Sequence, residues 1–285
     1  MMSEKIKETK KFIKRDSDDF FLAETQVFNI DGLCISSLEF DNEDTLVRKY
    51  EAKYDTKNLP IFEKTVEVED DFEEIKHYEY NDSGVLIKEI IETNAEWKTI
   101  KIYEYDDNKK IVIIKSYDEE DEIEESSEIQ YNDNHKIIYK KDFDANGKLT
   151  RKVENNYDDS ENLINYAEYD RKERLEKEYD YSYRSDNRLE EIIVYNLKGK
   201  IIDWTKNEYD EDGKINKQLF MSGEYKTFDY ENNKTTEHHF ASNGVEARTI
   251  ETIFNKNGTI SEENTQINQI HSFSSQIVKF EYVIY

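Results

Sequence analysis

Carboxylates dominate the chemistry-bearing side chains of this sequence. Asp118–Glu128, "DEEDEIEESSE", carries eight in 11 residues, and Glu67–Glu74, "EVEDDFEE", carries six in eight. Such density suits either a hard cation or a basic partner. A calcium loop needs six or more convergent oxygens, usually closed by a bidentate carboxylate. The stretch "DEDGKI" at Asp210–Ile215 lacks that closing group, and the same pattern elsewhere reads "NLKGKI" and "DANGKL". A ligand set does not survive leucine and lysine at its interior positions. These acids therefore read as turn formers, with Asp210 bonding nearby backbone N–H groups and Gly213 supplying a positive φ.

The two dense runs leave two readings. They are solvated edges that discourage sheet-to-sheet aggregation, or an electrostatic hook whose association with a basic protein is salt-dependent. The residues put forward for partner binding are Glu69, Asp70, Asp71, Asp118, Glu119, Glu120, Asp121 and Glu122. Trp97 and Trp204 join them as candidate interface anchors, although a core position is the first expectation for a ring of that size.

Other reactive groups are sparse. The histidines are His77, His135, His238, His239 and His271. His238 and His239 are adjacent, so a strand would point them to opposite faces and they could not chelate together. No His-x-x-x-His, CxxC, GxSxG or GxxxxGK[ST] pattern occurs. Cys34, the only cysteine, excludes an intrachain disulfide and sits where a small buried hydrophobe is expected. The expectation is no catalytic residue, no metal and no cofactor.

What must position these groups is a repeat. Tyr209-Asp210-x-x-Gly213-x-Ile215 aligns with Phe143-Asp144-x-x-Gly147-x-Leu149, Tyr80-Asn81-x-x-Gly84-x-Leu86, Tyr195-Asn196-x-x-Gly199-x-Ile201 and Phe254-Asn255-x-x-Gly258-x-Ile260. Seven of the 8 glycines fall four residues after the landmark aromatic; Gly223 does not. From Tyr117 the landmarks run 131, 143, 157, 169, 183, 195 and 209, alternating steps of 14 and 12. The frame slips by one before Tyr105, and the member near residue 66 is degenerate. A fixed period of this kind signals a repeat architecture. Removing the turns leaves strands of roughly seven and nine residues, joined so tightly that neighbours must be antiparallel. Leu175–Tyr183, "LEKEYDYSY", alternates with a period of two, which argues against helix. The fold class predicted is all-β: an antiparallel meander of repeated hairpins in one long, strongly curled sheet, solenoid-like or a partly closed shell. Residues 1–25 are expected to be helical or irregular, 26–262 to form the repeat domain, and 263–285 to cap the same domain with a strand over Ile277–Tyr285.

Composition sets limits on partners. The chain has 285 residues, 37% charged and 36% hydrophobic, with mean hydropathy −0.98. That balance leans toward disorder, but 21 Tyr, 14 Phe and a single Pro argue for a folded chain with a thin core. A net charge of −26 repels nucleic acid and anionic membranes and attracts basic proteins. No apolar run is long enough for a secretory signal or a membrane helix, so cytoplasmic residence is the default expectation.

The unit aromatic-Asp-x-x-Gly-x-Leu/Ile, ending in the next Tyr-Asp, resembles the YD repeat of the RHS family over roughly residues 28–260. In that family such repeats build a spiralling β-sheet, often a shell around a toxin domain. This chain is much shorter than an encapsulating shell and has no C-terminal toxin module. The resemblance implies a short cytoplasmic immunity-like protein that binds a cognate toxin, with a structural or adaptor module as the alternative. The motif is structural and transfers no catalytic residue.

Overall fold

A computed structural model describes residues 5–16, 18–94, 97–108, 110–269 and 272–285. His271 lies outside these described residues. The strands begin with β1 (Ile6–Arg15), β2 (Phe21–Phe28), β3 (Cys34–Phe40), β4 (Leu46–Tyr54), β5 (Pro60–Glu67) and β6 (Phe72–Tyr80). They continue with β7 (Leu86–Thr93), β8 (Lys98–Tyr105), β9 (Ile111–Tyr117), β10 (Ile123–Tyr131), β11 (Ile137–Asp144) and β12 (Leu149–Tyr157). Next come β13 (Leu163–Asp170), β14 (Leu175–Tyr183), β15 (Leu189–Asn196), β16 (Ile201–Tyr209) and β17 (Ile215–Phe220). The last five are β18 (Tyr225–Glu231), β19 (Lys234–Phe240), β20 (Glu246–Phe254), β21 (Ile260–Gln269) and β22 (Ser272–Ile284). Among the described residues there is no helix, and the fold is an all-β antiparallel meander. The N-terminal segment, expected to be helical or irregular, instead supplies β1 and the start of β2.

The chain divides into two compact units: Met1–Tyr78, Ile91–Glu96 and Gly223–Tyr285 form one, Glu79–Ile90 and Trp97–Ser222 the other. In the second unit, β8 to β17 pair each with the next. In the first unit β1 has two partners, β2 on one side and β22 on the other. The β1–β22 register runs from Ile6↔Ile284 to Arg15↔Gln276, and Asp16 Oδ1 accepts the Ser275 N–H at 2.7 Å. A solenoid-like sheet with free terminal strands is therefore not what forms. The period alone could not reveal this, because pairing between first and last strands leaves no trace in a nearest-neighbour repeat.

Turn chemistry explains the period. At Asp144–Lys148 the Asp144 N–H donates to the Lys148 carbonyl and the Gly147 N–H to the Asp144 carbonyl, both at 2.9 Å. Asp144 Oδ1 accepts the N–H groups of Asn146 and Lys148, so one carboxylate caps the whole turn. Gly147 sits at φ +73°, the left-handed region that a Cβ disfavours. Elsewhere Asp44, Asn58, Asp121, His135, Glu161, Glu173 and Asn187 hold that conformation. The turn after Tyr105 has the usual number of residues but closes differently: Asp106 N–H reaches the carbonyl of Ile111, five residues on, where its equivalents reach four.

The landmark tyrosines have a second structural task. Ladder pairing between β11 and β12 stops at Tyr139↔Glu154, short of Ile137. Its carbonyl accepts the Tyr157 hydroxyl and the Asn155 amide instead, both at 2.9 Å. Tyr54 donates to Cys34, Tyr183 to Leu163 and Tyr209 to Leu189 in the same way. Each hydroxyl supplies a donor to a carbonyl beyond the end of the ladder on that side, joined at Ile137 and Leu189 by the Asn155 and Asn207 amides. Apolar burial is modest. Among the described residues Ala52, Val112, Ile129, Ala167, Val194 and Val278 are the buried hydrophobic ones, and no large side chain is fully buried.

Candidate functional site

The β9–β10 turn carries the densest acidic run. Asp118 is used locally: its Oδ1 accepts the N–H groups of Glu120 and Glu122 at 2.9 and 2.8 Å, and Asp121 takes the positive φ. Glu119, Glu120, Asp121, Glu122, Glu124 and Glu125 are exposed around it. Among the described residues, no lysine or arginine nitrogen lies within 4 Å of their carboxylates. The nearby cation Lys115 is committed to Glu104 at 2.8 Å. Glu125 also faces Asp144 directly across the β10–β11 ladder, and like charges so placed repel. Glu128 ends the run differently, because its carboxylate accepts the Tyr139 hydroxyl at 2.5 Å. That bond, with burial behind it, pushes the Tyr139 phenol up to about 12.

The acidity is local. On an antiparallel meander every second turn lies at the same end, so the turns at Asp144–Lys148, Asp170–Arg174 and Asn196–Lys200 follow the β9–β10 turn in order. They pass from balanced to basic. Asp170 is held down at about 2 by the Arg174 guanidinium, with backbone N–H groups assisting. In the Asn196–Lys200 turn Leu197 is 67% exposed, and Ile201 and Ile202 beyond it are also exposed.

The second acidic run sits in the first unit, and half of its carboxylates are paired. Arg48 pairs with Glu67 at 3.0 Å, Lys64 with Glu73 at 2.7 Å and Lys76 with Glu74 at 2.9 Å. Glu69, Asp70 and Asp71 are exposed in the turn between β5 and β6, where Val68 and Phe72 are exposed as well. The structure thus places the two runs in different units. Trp97 is 75% exposed, which overturns the expectation of a core ring. Trp204, on β16 opposite Ile193, is half-buried.

The remaining reactive groups are engaged with neighbours. His238 Nδ1 lies 2.5 Å from Glu246 and its Nε2 3.3 Å from Asp229, whereas His239 Nε2 lies 2.5 Å from Glu237. Burial lowers the His239 pKa. Cys34 is half-buried with its thiol pushed up by burial, and Sγ donates to the Ser36 carbonyl at 3.4 Å. Sequence reasoning missed the tyrosine–carboxylate bonds. Glu63 accepts from both Tyr50 and Tyr78, and Tyr103 donates to Glu89. The only available signal was the excess of tyrosine on one strand face.

No protein-family model matches the chain, and comparison with curated proteins finds no match. Among solved structures, the chain is similar to part of the crystal structure of TcdB2-TccC3-Cdc42. Identity there is 13%, the TM-score is 0.28, and coverage is 93% of this chain and 19% of that one. A second structure, TcdB2-TccC3-TEV, is similar at 10% identity and TM-score 0.16, covering 93% and 20% of the two chains. A porin-like protein from Bacteroides uniformis is similar at 10% identity and TM-score 0.26, covering 98% of both chains. The chain spans about a fifth of the TcdB2-TccC3 chains it matches. Likenesses at these scores carry no argument about activity or shape.

Proposed function

We propose that this is a binding protein that captures a basic protein partner on the β9–β10 turn. In keeping with its YD-like repeat, we propose that it acts as an immunity protein against a toxin with a basic effector domain. The observation that carries the reading is the set of six exposed carboxylates from Glu119 to Glu125 left, among the described residues, without a cation. In the second dense run Glu67, Glu73 and Glu74 are paired with lysine or arginine, so only Glu69, Asp70 and Asp71 are left in the same way. Keeping like charges together costs stability, and a basic partner would recover that cost on binding. A neighbouring gene encoding a secreted toxin is the first expectation to check. In the laboratory, a polylysine peptide serves as probe, titrated at roughly 0.1 M and roughly 1 M salt, where the screening length falls from about 10 to about 3 Å. Binding should weaken steeply with salt and in the variant E119Q/E120Q/D121N/E122Q, which leaves the Asp118 cap in place. Equal affinity of this variant and the parent would remove the turn from the interface.

A second reading, an adaptor that docks through apolar contacts, is favoured by the exposed Leu197, Ile201 and Ile202. It predicts binding with little salt response that is lost in Leu197→Ser/Ile202→Ser.

A further inference from the structure

Tyr131 closes β10 where Tyr54, Tyr157, Tyr183 and Tyr209 close their strands, but among the described residues its hydroxyl has no hydrogen-bond partner. The cause is the way the turn between β8 and β9 closes. Twenty residues before Tyr131 stands Ile111, the counterpart of Ile137 before Tyr157. Here the Ile111 carbonyl accepts the Asp106 N–H at 3.1 Å, and the Tyr131 N–H goes to Lys110 at 2.8 Å. Tyr131 lines a niche of about 220 Å³ in the second unit, together with Tyr103, Tyr105, Val112, Ile114, Ile129 and His135. Val112 and Ile129 are buried and lie directly opposite each other across the β9–β10 ladder, and Tyr105 faces Val112 across the β8–β9 ladder. Two walls are fixed, since Tyr103 donates to Glu89 at 3.0 Å and Tyr105 to the Leu86 carbonyl at 2.9 Å.

From this geometry we propose that the niche is a binding site for a small neutral aromatic molecule of the phenol class. An apolar cavity of about 150 Å³ accepts a benzene ring, so this niche has room for a ring and one polar substituent. That substituent would bond the free Tyr131 hydroxyl. His135 lines the space but no lysine or arginine does, and the net charge of −26 disfavours an anion. The site is independent of the acidic turn.

Phenol itself is the probe, followed through the methyl resonances of Val112, Ile114 and Ile129. These should shift saturably, with a dissociation constant on the order of 1 mM, as expected for so small a ligand. Tyr131→Phe has no intrachain bond to lose and should fold normally, yet weaken phenol at least about fivefold while leaving benzene unaffected. Ile129→Phe, which fills the niche, should abolish the shifts. Absence of saturable shifts in the parent protein would overturn the proposal. So would phenol binding that is unchanged in both Tyr131→Phe and Ile129→Phe, or benzoate binding as well as phenol.

Discussion

Replacing Tyr54, Tyr157 and Tyr131 each by phenylalanine tests the idea that landmark tyrosines supply donors to carbonyls beyond the ladder ends. All three rings keep their packing, so only the hydroxyl is removed. The Ile137 carbonyl loses Tyr157 but retains the Asn155 amide at 2.9 Å. Tyr157→Phe should therefore cost about 0.5–1 kcal/mol, the net worth of one hydrogen bond. The Cys34 carbonyl takes one side-chain donor, Tyr54 at 2.9 Å. Tyr54→Phe leaves that half-buried acceptor unpaired and should cost about 1–2 kcal/mol, because desolvation is then uncompensated. Tyr131→Phe should stay within about 0.5 kcal/mol of the parent. Urea unfolding followed by fluorescence and circular dichroism gives the comparison as a shift of midpoint at constant slope. The two compact units require that each variant be compared on the transition of its own unit. A loss at Tyr131 equal to that at Tyr157, or a smaller loss at Tyr54 than at Tyr157, would refute the reasoning.

Further tests follow from other details. Gly147→Ala should cost about 1 kcal/mol from its positive φ alone, because an added Cβ meets nothing within 4 Å. Gly213→Ala should cost about as much, since the atom 1.6 Å from its added Cβ is Arg188 Nη1, the end of a flexible exposed side chain that can swing away, and paired thermal melts compare the two. Trp97→Phe should leave the melting temperature unchanged and remove most of the iodide-quenchable emission, leaving the sheltered signal of Trp204. Alkaline pH should destabilise the fold. The Tyr139 phenol, bonded to Glu128, and the Tyr166 phenol, raised by burial and then by Glu168, are both pushed up to about 12. The unfolded value is about 10, so the folded state binds these protons more tightly. Their contribution is complete below pH 10 and lost as pH rises toward 12, and urea midpoints that stay flat across that window would contradict it.

The sequence made the turns legible because each one concentrates its requirements in a few positions. Asp144 caps, Gly147 takes the positive φ and Leu149 opens the next strand, all as their spacing predicts. What stayed hidden was non-local. Nothing in "IKETKKFIKR" announces a strand, because its alternation is weak and its order comes from partners on both sides, one of them at the far end of the chain. Trp97 was misjudged for a related reason, since side-chain size suggests burial but the loop that carries it does not supply any. The acidic run was legible as charge. Its lack of counterions was not, because Lys115 stands close in sequence and is taken up by Glu104 across the ladder.

The pairing of β1 with β22 brings Lys5 and Tyr285 together, with the Tyr285 N–H donating to the Lys5 carbonyl at 3.0 Å. Connectivity is therefore separable from architecture. A short glycine-rich bridge from residue 285 back to residue 5 would make the backbone cyclic, and new ends could be cut in any exposed turn, such as Asp144–Lys148. Every permutant would keep the same ladders and the same capped turns. The position where the chain starts is then a variable an experimenter can move around the sheet, placing a fused tag or reporter beside the acidic turn or away from it.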